Sequence, residues 1–286
     1  TEAAAAHAGG IATVCEMPNT VPSTVTVEAL ADKVRLASTI TLCDIRFFFG
    51  ITDRVHIEEL RHLWIDPSLH TFRQRCSGVK LYLDHSTGNQ KISEELLCDV
   101  FATCAALHIP VVCHCEDPKI NAAAAKTSAM RRDVAAHSLR RPPESEAAAI
   151  ATAIGLAEQH GTQLHIAHLS TAEGIALVAE AKGMGLPVTC EVAPHHLFLT
   201  TDDYEHLGAL AKMNPPLRER THQIALWEGI RQHIVDCIAT DHAPHTLQEK
   251  RTENPFDAPS GVPGVETMLP LLLTVASGHW PHPRGA

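Results

Sequence analysis

The sequence predicts an α/β fold of the (β/α)8 TIM-barrel type, in which parallel strands alternate with helices. Short runs rich in Val and Ile recur along the chain, and several of them follow a Gly or Pro. Amphipathic stretches rich in Ala, Leu and Glu separate these runs, as crossovers between parallel strands require. The length of 286 residues also suits a single barrel of roughly 250 residues. The predicted strands cover 11–17, 45–50, 78–83, 109–116, 163–169, 186–192 and 235–242.

The first predicted element is a helix, because EAAAAHA precedes two glycines and leads directly into the first strand. Later helices are predicted from VEALADKVRLAST, SEELLCDVFATCAAL, ESEAAAIATAIGLAEQH and TAEGIALVAEAKGMG, the last with a glycine stop. Seven strands are found, whereas a closed barrel has eight. We therefore predict one incomplete barrel domain over 1–286, with its first strand missing from this chain.

Composition excludes several classes of protein. A net charge of -10 without a Lys/Arg run argues against nucleic-acid binding. No apolar run reaches the ~18 residues of a membrane span, and the start lacks a secretory signal. Nine scattered cysteines form no disulfide-like framework, which indicates a reducing, cytoplasmic setting. Twenty histidines are unusual, and histidine is the commonest metal ligand.

Lys80 lies within the predicted strand GVKLYL, at the end of the barrel where catalytic residues are found. Strand alternation turns Val79 and Leu81 toward the outer helices and Lys80 into the barrel. A buried ammonium is costly, and one escape is for the neutral amine to capture carbon dioxide as a carbamate. That anion suits a bridge between two metal ions at ~3.5–4 Å. The alternative is a lysine that extends to the barrel mouth.

Two histidines end the predicted fourth and fifth strands. His114 lies between two cysteines that alternation turns outward, so we predict His114 as an inward ligand and the cysteines as packing residues. His165 and His168 are three residues apart and are expected to face opposite ways. Only His168 is then expected at the mouth, with His165 as a packing or supporting residue. A purely structural role for either strand-end histidine is the alternative.

Asp241 ends the last predicted strand, where a carboxylate can bind a metal and also accept a proton from water. His245 follows on the loop above the mouth, and Asn19 directly follows the first strand. A helix cap is the alternative for Asp241, and a solvated loop residue is the alternative for His245. Because Lys80, His114, His168 and Asp241 all end strands, we predict that they meet at one rim of the barrel.

Several motifs together resemble the dihydroorotases, cyclic-amide hydrolases of the amidohydrolase superfamily. The resemblance extends from about Glu2 to Thr274, and MPNT together with DHAPH is fairly specific within the superfamily. GVKLYL and DHAPHTLQEK look closest to the dihydroorotase domain of the pyrimidine-synthesis multienzyme. The other motifs are HCED, HIAHLS, PHHL, NPPLR and GVPGVETMLPLLLT.

The resemblance implies a role for each matching residue. Lys80 would be a carboxylated ligand bridging two Zn2+ ions, His114 and His168 would bind the second zinc, and Asp241 would bind the first zinc and move the proton. Asn19 and His245 would hold the substrate carboxylate, while the backbone around Pro263 and Gly264 would contact the pyrimidine ring. The loop 84–89 would close over the substrate.

The implied activity is reversible hydrolysis of dihydroorotate to N-carbamoyl-aspartate in pyrimidine biosynthesis. Nothing in the chain matches the family's His-x-His-x-x-Arg strand, and the tail stops early, so we expect a fragment with weak or absent activity. Glu191 matches an extra zinc position of some members, but Ala167 replaces their cysteine, so no third zinc is expected there. Homodimerisation or association with aspartate transcarbamoylase is implied. The alternatives are an allantoinase or hydantoinase, and a non-catalytic scaffold that binds aspartate transcarbamoylase.

Overall fold

The computed structural model describes residues 1–86 and 88–279. Over these residues the chain forms a seven-stranded parallel sheet whose strands are neighbours in sequence order. Each strand falls within or beside a predicted run, so the sequence prediction of an α/β fold with parallel strands is confirmed. The strands are β1 (Thr13–Glu16), β2 (Asp44–Gly50), β3 (Cys76–Tyr82), β4 (Val111–His114), β5 (Leu164–Ile166), β6 (Val188–Val192) and β7 (Cys237–Ile238).

Helices connect the strands on the outer face of the sheet. The predicted first helix ends at Ala8, with Gly9 as its C-cap. The longest helix runs from Pro143 to His160 and ends at Gly161, whose positive φ is the usual helix stop. The described helices are α1 (Glu2–Ala8), α2 (Val27–Ala37), α3 (Arg54–Ile65), α4 (His70–Arg73), α5 (Leu97–Ala106), α6 (Pro118–Thr127), α7 (Ala136–Arg140), α8 (Pro143–His160), α9 (Ala172–Gly183), α10 (Pro194–Phe198), α11 (Tyr204–Leu207), α12 (Arg220–Arg231), α13 (Leu247–Lys250) and α14 (Met268–Ala276).

The sheet curls so that its two ends approach each other. Gly9, just before β1, lies so close to Val265, which follows β7, that a Cβ at Gly9 would overlap the Val265 carbonyl. Gly10 packs on the side chain of Leu269 in α14, which would lie 2.7 Å from an added Cβ. Segments from opposite ends of the chain are therefore in contact, as in a barrel.

The core is divided between the two faces of the sheet. The outward side chains of the strands, such as Val79, Leu81 and Cys113, pack with the helices in the main buried cluster. Inside the curl, Phe48, Val112 and Ala167 form a separate small cluster. Lys80 and His114 alternate with the outward residues and therefore face the interior, as predicted.

Two buried lysines hold the irregular segment that follows α13. The Lys212 ammonium donates to the carbonyls of Pro255, Phe256 and Ala258, at 3.3, 2.7 and 2.6 Å. The Lys250 ammonium donates to the carbonyls of Lys212 and Pro259, at 2.8 and 3.0 Å. These bonds let a loop without regular secondary structure pack against the barrel, since they satisfy its backbone carbonyls.

No helix within the described part of the chain combines the length and the apolar character needed to cross a bilayer.

Candidate active site

Lys80 lies inside the curl of the sheet, and its side chain is buried without a hydrogen-bond partner for its Nζ atom. The residue is 2% exposed, and Nζ stands 5.0 Å from the centroid of the Tyr82 ring. Burial lowers the pKa of Lys80, although the charges of Glu191 and Asp241 oppose the shift. The surroundings therefore favour the neutral amine, which is the form that reacts with carbon dioxide.

His114 and His168 meet face to edge at the ends of β4 and β5. Nδ1 of His114 lies 3.1 Å from Nε2 of His168, and the Nδ1 atom of His168 has no partner. Burial lowers the pKa of both imidazoles, which favours their neutral, metal-binding form. The structure thus brings together the two histidines that the sequence predicted as inward ligands.

A buried carboxylate orients His114. Nε2 of His114 lies 2.7 Å from Oε2 of Glu116, and Arg141 forms an ion pair with the same oxygen. Burial alone would raise the pKa of Glu116, but the Arg141 charge and the His114 hydrogen bond outweigh it and hold the pKa at about 2. The ionised Glu116 therefore accepts a hydrogen bond from the N–H at Nε2 of His114. This leaves the lone pair of His114 on Nδ1, which faces His168.

Asp241 follows β7 and joins this group from the other side of the mouth. Burial raises the pKa of its carboxyl group above the ordinary range; the Lys80 charge opposes the rise and the Glu191 charge adds to it. Oδ2 of Asp241 lies 3.8 Å from Nε2 of His195, a buried nitrogen without a hydrogen-bond partner. The carboxyl group thus lies beside a buried imidazole, and its raised pKa lets it exchange a proton.

His165 corrects one sequence expectation. Strand alternation predicted that His165 and His168 face opposite ways, but both lie inside the curl. His165 pairs in register with the interior residue Val112, and its Nε2 lies 3.2 Å from Oε2 of Glu191. The His168 ring packs against His114. The reason is that β5 ends at Ile166 and His168 adopts a positive φ of 38°. Alternation holds only within the strand, so His165 also lies inside the barrel.

Asn19 follows β1 beside the loop that was predicted to close over a substrate. An added Cβ at Gly88 would lie 3.5 Å from the Cβ of Asn19. On the β3 side, Asp84 accepts a hydrogen bond of 2.8 Å from Asn121, which ties the start of the loop to α6. Thr87 at the centre of this loop lies outside the described residues. Closure of the loop and the role of Asn19 remain predictions.

The segment around Pro263 and Gly264 lines a cavity of about 360 Å³, together with His195 and Thr240. Gly264 approaches the end of β7 so closely that a Cβ would lie 2.7 Å from the Thr240 carbonyl. Its backbone N donates to Nδ1 of His242 over 3.0 Å. Because His195 also contacts Asp241, the cavity adjoins the proposed reactive group.

His245 lies on the loop after β7. Its Nε2 atom stands 3.3 Å from the Ser260 carbonyl, and Gly261 is packed beside the ring. The structure therefore holds His245 through the segment that precedes Pro263, and a role in substrate binding remains a prediction.

The donor set fits a metal site at the mouth. Two nitrogens bound to one zinc at about 2.0–2.1 Å lie roughly 3.3 Å apart in tetrahedral geometry. The 3.1 Å between the facing nitrogens of His114 and His168 is close to that separation. The Nζ atom of Lys80 is a third buried polar atom in this group, and it has no hydrogen-bond partner. Conversion of the amine to a carbamate that binds cations would account for it.

Sequence reasoning missed three residues around this group. Glu116 lies two residues after His114, and the pattern His-x-Glu at a strand end could have indicated a carboxylate aimed at the histidine. Arg141 directly follows α7, and no local pattern marks it. His195 lies in the motif PHHL, which supported the family resemblance but was not assigned a role.

Comparison with known proteins agrees with this architecture. Residues 1–174 match the family model described as dihydro-orotase-like. Over 271 residues the chain is 41% identical to the dihydroorotase of Halobacterium salinarum, covering 95% of this chain and 60% of that protein. It is 34% identical over 276 residues to the multifunctional protein CAD of Squalus acanthias, covering 96% of this chain and 10% of that protein.

A solved structure of similar shape is the L-hydantoinase (dihydropyrimidinase) from Arthrobacter aurescens. The TM-score is 0.89 at 30% identity, covering 97% of this chain and 61% of the other. The chain spans about three fifths of the length of the single-function relatives it matches. The match of the family model over more than half of the sequence, on a curled parallel sheet with these strand-end residues, shows that the chain belongs to the dihydro-orotase-like family.

Proposed function

We propose that this chain is the barrel part of a dihydroorotase, which hydrolyses the cyclic amide of dihydroorotate reversibly to N-carbamoyl-aspartate. The observation that carries the proposal is the meeting of an unpartnered buried lysine with two facing neutral histidines inside the barrel. A structural role does not explain that group, because an orphaned buried amine costs stability. A domain extending over all of 1–286 is part of the proposal.

The proposed cofactor is a pair of Zn2+ ions bridged by carboxylated Lys80. His114 and His168 would hold one ion, and Asp241 would hold the other. Bound zinc would acidify a water molecule and polarise the amide carbonyl. The protein supports this arrangement by keeping both imidazoles neutral, and Glu116 fixes the ring of His114 through Nε2.

Asp241 is proposed to move the proton. Its carboxyl group would take a proton from the attacking water and deliver it to the leaving ring nitrogen. The raised pKa supports this role, because a carboxyl group that neither holds nor releases its proton too firmly can do both. The buried side chain of His195 lies 3.8 Å from this carboxyl group.

Substrate orientation is proposed to come from the rim. Asn19 and His245 would hold the carboxylate of dihydroorotate, and the backbone at Pro263 and Gly264 would contact the ring. The cavity beside Asp241 supports this assignment, since it is lined by Pro263 and Gly264.

A second candidate is another cyclic-amide hydrolase, a hydantoinase or allantoinase, and the structural similarity to an L-hydantoinase favours it. Such an enzyme would share the metal ligands and differ at the rim. Asn19 and His245 favour an anionic substrate. A non-catalytic scaffold is a third candidate, but it gives no reason to keep Lys80 buried and unpartnered.

Association with aspartate transcarbamoylase or with a second copy, and a cytoplasmic location, are further parts of the proposal. The similarity to the multifunctional protein CAD supports an association with other enzymes.

The deciding experiment compares dihydroorotate, hydantoin and allantoin as substrates of the protein expressed from its full reading frame with zinc and bicarbonate. We expect turnover of dihydroorotate to exceed that of the other two. Asn19→Ala and His245→Ala should raise KM for dihydroorotate, whereas His206→Ala, at an exposed position, should not. Preference for hydantoin or allantoin would reject the proposal, and zinc binding without any turnover would favour the scaffold.

A further inference from the structure

A second group of potential metal ligands lies inside the curl, apart from the four proposed ligands. It consists of His165 on β5, Glu191 on β6 and Cys237 on β7. One ligand atom from each residue lies within 4.8 Å of the others, and no other group of three His, Cys, Asp or Glu side chains among residues 1–86 and 88–279 meets this condition. The three strands are adjacent, and Glu191 is the direct register partner of Cys237.

Two contacts hold the ring of His165 in place. Nδ1 of His165 lies 2.8 Å from the Thr189 hydroxyl oxygen, which can donate to that nitrogen or accept from it. The same hydroxyl lies 3.4 Å from the Leu164 carbonyl. In the tautomer with its proton on Nδ1, the lone pair of the neutral ring is on Nε2.

That lone pair faces a second acceptor. Nε2 of His165 lies 3.2 Å from Oε2 of Glu191. Two acceptors at this distance repel each other unless a proton or a metal cation lies between them. The thiol of Cys237 stands beside the same two atoms, and it becomes a strong ligand when it loses its proton.

We propose that His165, Glu191 and Cys237 bind one zinc-class divalent cation. Imidazole nitrogen, carboxylate oxygen and thiolate sulfur together suit a borderline metal with tetrahedral preference and do not suit Mg2+ or Ca2+. The carboxylate and the thiolate balance the charge of the ion, and binding releases the thiol proton to solvent. Water would complete the fourth position.

This site is separate from the proposed catalytic one, and of its three residues only Glu191 matches the extra zinc position of some relatives. It shares no residue with Lys80, His114, His168 and Asp241, and its thiol comes from β7 rather than from the position of Ala167. Glu191 connects the two regions, since its other oxygen accepts from the backbone N of His168.

The arrangement also has a structural consequence. β7 is only two residues long and is the edge strand of the described sheet. A cation held by one residue from each of β5, β6 and β7 would tie that short strand to its neighbours. Cys237 is exposed, so an ion can reach the group from solvent.

The test is titration of the full, metal-stripped chain with Co2+, followed by near-ultraviolet spectroscopy. Thiolate ligation gives a sulfur-to-cobalt charge-transfer band, and the proposed catalytic ligands contain no thiol. We expect one equivalent of Co2+ to produce the band. Cys237→Ser should abolish it and weaken binding at this site by at least ~100-fold, because even outer-shell partners of a metal cost about 10–100-fold.

Cys15→Ser is the matched control, since Cys15 is also exposed and lies on β1, the other edge strand. This variant should keep the band. His165→Gln should lose it, and it serves as a second variant if Cys237→Ser folds poorly. No band in the parent chain, or a band that survives Cys237→Ser, would overturn the proposal and leave a proton as the bridge between His165 and Glu191.

Discussion

Two regions of this molecule bury lysine side chains, but only one of them provides hydrogen-bond acceptors for the lysine nitrogen. Lys212 and Lys250, at 6% and 4% exposure, donate to five backbone carbonyls of their own region. Lys80, at 2% exposure, has its Nζ atom 5.0 Å from the centroid of the Tyr82 ring, and this atom has no hydrogen-bond acceptor.

The difference separates a structural role from a chemical one. A lysine whose ammonium group donates to backbone carbonyls stabilises the loop it binds. A lysine whose donors are unused destabilises the chain in which it sits, so its presence needs another explanation. The proposed reaction with carbon dioxide and the proposed metal binding would provide that explanation for Lys80.

The largest expected effect concerns Arg141, a partly buried cation whose guanidinium is held by the buried carboxylate of Glu116. Glu116→Gln should lower the free energy of unfolding by about 3–5 kcal/mol, because it removes the charge that compensates a largely buried guanidinium. Urea unfolding at neutral pH measures the change.

The control is Glu94→Gln, which breaks the exposed ion pair with Lys119 and should leave the urea midpoint nearly unchanged. Equal effects of the two substitutions would show that burial of the Arg141 pair has no energetic importance.

The next prediction compares the same type of substitution, Lys to Met, in the two lysine regions. Lys80→Met should raise the free energy of unfolding of the metal-stripped chain by about 1–3 kcal/mol, since it removes a buried, unsatisfied donor. Lys212→Met should lower it by a similar ~1–3 kcal/mol, since it leaves three carbonyls without a donor. Chemical denaturation in the presence of a chelator measures both. Shifts of the same sign would remove the distinction drawn between the regions.

The smallest effect is a pH dependence at Lys250. Burial lowers its pKa from 10.5 to about 8, and the Lys212 charge adds to the shift. Between these values the unfolded chain binds the proton and the folded chain does not, so this group makes the protein more stable as pH rises from about 8 toward 10.5. Below that window the penalty of the buried charge is fully present.

The measurement is the unfolding free energy of the parent chain minus that of Lys250→Met, followed across the window. The difference should grow with pH, and a flat or falling difference would contradict the assignment. Subtraction removes the contribution of the thiols and phenols that titrate in the same range.

Much of the fold was predictable because its signals are local. Seven hydrophobic runs marked seven strands, and alternation placed Lys80 inside and Cys113 outside the barrel. His114 and Asp241 were chosen as candidates because catalytic residues in such barrels end the strands, and their roles stay predictions.

The sequence did not predict the positions of residues that depend on local backbone geometry or on contacts with residues far away in the chain. The position of His165 depends on where β5 stops, and no run of residue types marks the positive φ of His168. Lys212 and Lys250 have backbone carbonyls as partners, so the identity of the residues around them carries no signal. Arg141 reaches Glu116 from 25 residues away in sequence.

His168 and Asp241 share a left-handed backbone, with φ of 38° and 43°. A side chain other than glycine in this region costs roughly 1–2 kcal/mol. Selection for heat tolerance alone would therefore favour glycine at both positions and erase a proposed ligand each time. At these two positions, stability and the proposed metal binding therefore favour different residues, and a variant engineered for one property should be screened for the other.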